Sequence, residues 1–103
     1  VEALKAREVS AVEVTKAHLA RLEAVNPALN AVVDAVPDAL ERARAIDAGE
    51  VSGGILHGAP VTTKINADQA GLATTNGLPA QKDLIAPADS AVVGATCWPR
   101  AGS

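Results

Sequence analysis

The 103-residue chain contains no phenylalanine, tyrosine or methionine and a single tryptophan, Trp98. A core anchored by large rings or pliable thioethers is therefore excluded. Alanine supplies 23 of the apolar residues, so packing falls to valine and leucine. A chain of this length buries only about 60 to 65% of the surface it exposes when unfolded. One cysteine, Cys97, excludes an intrachain disulfide and a cysteine cluster around a metal, and reads as a small buried hydrophobe. Positive charge is not in excess: 9 Lys and Arg stand against 12 Asp and Glu, a net charge of −3 with both signs scattered along the chain. Without a basic patch, nucleic acid and an anionic membrane surface are excluded as partners. No apolar run reaches the roughly 18 residues needed to cross a bilayer, and the N-terminus lacks the charged-then-apolar pattern of a leader. These absences predict a soluble, cytoplasmic protein. The start on Val1 and the uncapped end at Ala101-Gly102-Ser103 predict a portion of a longer chain.

What is present outlines alternating elements. Ser10-Ala11-Val12-Glu13 has the spacing of a capping box, in which hydroxyl and carboxylate each satisfy a backbone N–H left free by the first helical turn. A helix is predicted from there, with Val12, Thr15, Leu19 and Leu22 on its buried face and Glu13, Lys16 and Glu23 away from it, ending at Asn26-Pro27. Glu2 to Arg7 predicts a shorter helix before it. Asn30 to Val36 (NAVVDAV) is rich in β-branched residues and bounded by Pro37, which predicts a strand. Asp38 repeats the N-cap logic and Gly49 offers a left-handed C-terminal residue, so a second helix is predicted between them. Ala59 to Ile65 (APVTTKI) predicts a second strand, and strand, helix and strand over about 35 residues outline a parallel βαβ crossover.

Asn66 to Pro87 shows no sustained period and predicts a long irregular segment, which is uncommon in compact domains unless functional or packed against something else. Ser90 predicts the N-cap of a last helix through Val92, Val93 and Thr96, ended near Cys97 by Pro99. Two strands leave a sheet with an open edge, and such an edge is a site for self-association.

Few residues carry chemistry. His18 has no second His, Cys or carboxylate at ligand spacing and reads as a surface residue. Ser52-Gly53-Gly54 has no neighbouring base to activate a nucleophile, and its glycines lack the spacing of a phosphate-binding loop. Lys64 carries two readings. At the end of a strand, a lysine is ordinarily a solvated charge that discourages sheet pairing. A lysine acting as a base must instead be neutral, a form disfavoured in water at pH 7 by roughly three orders of magnitude and favoured by burial. A catalytic role therefore requires a desolvated site.

The segment HGAPVTTKINADQAGLATTNGLPA, followed by IAPADSAVV, resembles the amidase signature family, whose members carry a His-Gly-small-Pro-Val strand ending in lysine, an irregular loop with a Thr-Thr motif, and an Ala-Asp-Ser helix start. The upstream REVSAVEVTKAHLARLEAVNPALNAVV is similar to that family's N-terminal helix and first strand, so the resemblance covers essentially the whole chain. It implies an α/β fold class: the N-terminal fragment of an amidase-signature α/β/α fold with an incomplete mixed sheet, a single partial domain over residues 1–103. It also implies that Lys64 is the lysine of a serine, cis-serine, lysine triad. In that role it acts through the bridging serine as the base for a nucleophilic serine, which attacks an amide carbonyl to give an acyl-enzyme that water resolves. The implied substrate is a small-molecule amide, and no metal or organic cofactor is implied. The loop from Asn66 to Gly77 would wall one side of the site, with no separate roles for Asn66, Asp68, Thr75 or Asn76.

The chain departs from the family pattern in places. Ile65 stands where many members have an acidic residue, and Gly94 to Pro99 differs from the family's charged helix. None of Ser10, Ser52, Ser90 and Ser103 matches the Gly/Ser-rich motif that holds both catalytic serines and the oxyanion donors beside them. The leading expectation is the N-terminal portion of an amide-hydrolysing enzyme, inactive as an isolated chain. The alternatives are a non-catalytic α/β fragment stable only with a partner chain, and a relic reading frame.

Overall fold

The structure is a computed structural model that describes residues 1–52 and 54–96. The chain divides into two compact units, Val1–Pro60 and Val61–Ser103. The first holds α1 (Glu2–Lys5), α2 (Ala11–Leu29), α3 (Ala39–Asp47) and a 3₁₀ turn at Gly54–Leu56. The second holds a 3₁₀ turn at Pro79–Gln81 and α4 (Ala91–Thr96).

Helix α2 begins where its cap predicts. Ser10 is extended, and its hydroxyl accepts a bond from the Glu13 amide at 3.0 Å. The two preceding amides are held by a residue far away in sequence: Asp47, the last residue of α3, accepts from Ala11 N at 2.8 Å and Val12 N at 3.0 Å. The first three amides of α2 are thus all satisfied, and a carboxylate at this end also opposes the positive pole of the helix. Ala11 and Thr15 are buried and Val12, Leu19 and Leu22 half-buried, while Glu13, Lys16 and Glu23 are exposed, as the spacing predicts.

The C-terminal end of α2 differs from expectation. The helix runs through Pro27 to Leu29 before Asn30 closes it in the left-handed region at φ 50°. A proline removes one backbone bond, and here the turn that follows is secured from the side. Asn26 donates to Val32 O and accepts from Val32 N, both at 2.8 Å. Its amide thereby does for Val32 what a neighbouring strand would do.

Helix α3 packs on α2, and a small apolar core of Leu4, Ala11 and Ala43 gathers Val9, Val12, Val14, Ile46 and Ala59 around it. Asp38 stands at the N-cap of α3 without a side-chain capping bond; its carboxylate instead pairs with Arg42 Nε at 3.1 Å, one turn on. Gly49 (φ 73°) ends the helix with two reversed bonds, Glu50 N to Ala45 O and Gly49 N to Ile46 O, both 3.0 Å. This is the Schellman arrangement that favours glycine. α1 ends the same way around Arg7 at φ 58°, a conformation that a side chain makes unfavourable.

The predicted sheet is the main correction. Among the described residues there is no strand, only an isolated antiparallel bridge between Ala73 and Ile85. Neither Asn30–Val36 nor Ala59–Ile65 pairs, so the parallel crossover and the incomplete mixed sheet are not formed. β-branched composition measures fit to a pleated, half-covered surface, and here that surface has no partner: Val33 is 67% exposed and Val61 45%. Part of the polar backbone of these segments is met locally instead, Val32 by the Asn26 amide and Lys64 O by Ala67 N. Helix α4 starts at Ser90 as predicted, with Val93 N 3.4 Å from the serine hydroxyl and Val93 itself buried. The expectations for Gly53, Cys97, Trp98, Pro99 and Ser103 lie outside the described residues.

Candidate functional site around Lys64

The residues from His57 to Gly77 are shaped by two different kinds of constraint. In the first unit, His57 and Gly58 both take positive φ, 53° and 84°. A Cβ added at Gly58 would lie 3.0 Å from Ala11 Cβ and 3.1 Å from Ile46 Cγ2. Only glycine fits where this turn meets both helices. The sequence offered a hint in the His-Gly pair, but its reason is a contact with residues 47 and 12 positions away.

In the second unit, Val61, Thr62, Thr63 and Lys64 run as an irregular exposed segment into a turn closed by Ala67 N to Lys64 O at 2.9 Å. Gln69 reaches back across that turn, its Oε1 accepting the Thr63 hydroxyl at 3.2 Å. The following loop is pinned to the 84–90 arm at several points. Ala70 N donates to Asp89 Oδ1 at 2.7 Å, Ser90 N to Asp68 O at 2.9 Å, Gly71 N to Ala86 O at 2.9 Å, Ala86 N to Leu72 O at 2.9 Å and Thr74 N to Leu84 O at 3.0 Å. Gln69 and Thr74 are buried. Loops are ordinarily kept at the surface by their polar backbone; this one is closed by bonds that satisfy that backbone internally.

Several residues without an assigned role in the sequence have one here. Asp68 Oδ1 accepts the Thr74 hydroxyl at 2.6 Å, Thr75 Oγ1 accepts from Gly77 N at 3.2 Å, and Asn76, left-handed at φ 52°, donates to Gln81 Oε1 at 3.1 Å. Asn66 is exposed. Asp89 was hidden within the Ala-Asp-Ser motif; an aspartate one residue before an N-cap serine was the available signal for a second backbone acceptor.

Lys64 is exposed, and among the described residues its ammonium meets no hydrogen-bond or ion-pair partner. The described serines are otherwise engaged: Ser10 and Ser90 accept from the amides of their helices and Ser52 from Gly54 N at 3.0 Å. His18 bonds its own helix, Nδ1 lying 2.8 Å from Val14 O. Among the described residues no three His, Cys, Asp or Glu side chains converge as a metal site, and no helix is long and apolar enough to cross a membrane. A groove of about 580 Å³ lies in the first unit, bordered by Leu4, Arg7, Ile46, Val51 and His57 together with the capping residue Asp47.

Among the described residues, Lys64 thus stands at the start of a closed turn with no serine hydroxyl bonded to its amine. The Amidase family model matches residues 13–95, a span that contains the whole of that turn. The chain belongs to the amidase family. Among curated relatives, the indoleacetamide hydrolase of Bradyrhizobium diazoefficiens is 50% identical over 95 residues, covering 88% of this chain and 18% of the relative. The glutamyl-tRNA(Gln) amidotransferase subunits A of Acidothermus cellulolyticus and Methylococcus capsulatus are 44% and 40% identical, each covering 87% of this chain and 19% of the relative. The chain therefore spans about a fifth of the length of these amidase relatives. No solved structure matches it.

Proposed function

We propose that these residues are the lysine-bearing N-terminal portion of an enzyme that hydrolyses carboxylic amides, with Lys64 acting through a bridging serine on a nucleophilic serine. The observation that carries this reading is the match of residues 13–95 to the Amidase family together with the unengaged amine of Lys64 inside the matched span. Neither serine is assigned to Ser10, Ser52 or Ser90, which do not match the family's Gly/Ser-rich motif. The reaction class follows the family: the serine oxygen bonds to the carbonyl carbon, the C–N bond breaks, the leaving nitrogen takes a proton, and water later releases the acid. The substrate is a small-molecule amide.

The exposure of Lys64 bears directly on this assignment. A base of this kind works when it is desolvated, and no described residue covers it. The isolated 103-residue chain is accordingly inactive. Reading the coding sequence past Ser103 is the direct test, with a Gly/Ser-rich segment carrying two serines as the expected result. Amide turnover by the purified chain that disappears in Lys64→Ala would overturn the claim that the nucleophile lies elsewhere.

A further inference from the structure

Lys64 needs a fixed origin if its flexible four-carbon stem is to deliver the amine to a small target. Backbone pairing does not provide one, because the residues before it are not in a strand. What the structure provides is a polar bracket. Thr63, immediately before the lysine, donates its hydroxyl to Gln69 Oε1 at 3.2 Å, while the turn inside that bracket is closed by Ala67 N to Lys64 O at 2.9 Å. We propose that Gln69 is a positioning residue for Lys64, holding the lysine's backbone through the Thr63 hydroxyl.

Three features of Gln69 suit it to this. It is 8% exposed, whereas Thr63 and Lys64 are exposed, so the bracket joins a surface segment to an interior group. Its neighbours on both sides are tied to the 84–90 arm, Asp68 through Ser90 N to Asp68 O at 2.9 Å and Ala70 through its bond to Asp89 Oδ1 at 2.7 Å. Its own carbonyl accepts from Leu72 N at 3.0 Å. A buried amide also demands partners, because leaving one unpaired is unfavourable. That demand pulls Thr63, and with it Lys64, toward one arrangement. Thr63 touches neither substrate nor reacting atoms in this role; it acts through the backbone it shares with the lysine.

This inference rests on the catalytic reading of Lys64, and its test separates the two. The first measurement is the 15N order parameter of the Lys64 amide in the 103-residue chain. Values near 0.85 mark rigid backbone and values below about 0.6 flexible backbone. Lys64 is expected near the rigid value in the parent, to fall in Thr63→Val and Gln69→Leu, and to recover in Thr63→Ser, which keeps the hydroxyl. The second is amide hydrolysis by this chain substituted for the segment it matches in the Bradyrhizobium hydrolase. Thr63→Val is expected to lower kcat by about ten- to a hundredfold, the scale of a misplacement near 1 Å, with KM unchanged and Thr63→Ser restoring the rate. A Lys64 amide as mobile in the parent as in Thr63→Val, or a kcat that Thr63→Val leaves unchanged, overturns the bracket. If kcat is unchanged in Thr63→Val while Lys64→Ala is inactive, the lysine assignment survives and the bracket does not. If Lys64→Ala hydrolyses as fast as its parent, both are lost.

Discussion

Among the described residues, the buried side chains of 1–60 are Leu4, Ala11, Thr15 and Ala43, where two helices pack against each other; those of 61–96 are Ala86 and Val93 beside Gln69 and Thr74. The first region is ordered by helices whose ends are satisfied within the same sixty residues. The second is ordered by side chains and amides crossing a loop. A helix completes its backbone bonds locally, so it forms wherever caps and one apolar stripe agree. A strand does not, so the β-branched segments at 31–36 and 61–64 stay unpaired. Lys64 belongs to the second region, where order rests on polar contacts across a loop.

The contrast can be broken most severely at Gly58. Gly58→Ala places a methyl against Ala11 and Ile46 at a positive φ, and the two penalties together destabilise the first region by about 2 to 5 kcal/mol. Urea unfolding followed by circular dichroism checks this; an unshifted midpoint would show that the turn does not rest on α2 and α3. Asp47→Ala removes two bonds from the start of α2 and is expected to cost about 1 to 2 kcal/mol, in the range of a lost N-cap, with early loss of amide protection at Ala11 and Val12. Asp89→Ala removes one bond in the second region and should cost about 1 kcal/mol. Hydrogen exchange should then quicken at Ala70 and Gly71 and stay constant in α2. Arg7→Gly acts in the opposite direction: relieving a left-handed arginine should stabilise by roughly 0.5 to 1 kcal/mol, and a lower midpoint would mean that the Arg7 side chain makes a contact worth more than the strain.

Local signals carried much of this fold. Ser10 and Ser90 mark their helices and Gly49 its C-terminus, because each cap is a contact between residues three to five apart. The long irregular segment after Lys64 was legible from its Gly, Pro and small polar residues. Asp47 on the amides of Ala11 and Val12, and Gly58 against Ala11 and Ile46, were not legible, since nothing near either residue announces a partner some 12 to 47 positions away. The sheet was misread for a related reason: valines at 32, 33 and 36 report a preference for a pleated surface and say nothing about which chain supplies it. At the candidate site, Lys64 is singled out by a resemblance in its motif, whereas Gln69, an ordinary polar residue in sequence, stands out only by its burial.

Whether Lys64 is a base is decided by the rate of amide hydrolysis of the Bradyrhizobium hydrolase carrying this chain in place of its matching segment, with Lys64 and with Lys64→Ala. Loss of a positioned base lowers rates by about 10²- to 10⁴-fold, and a fall of that size is expected in Lys64→Ala. Equal rates in the two proteins would contradict it and return Lys64 to the role of a solvated surface charge.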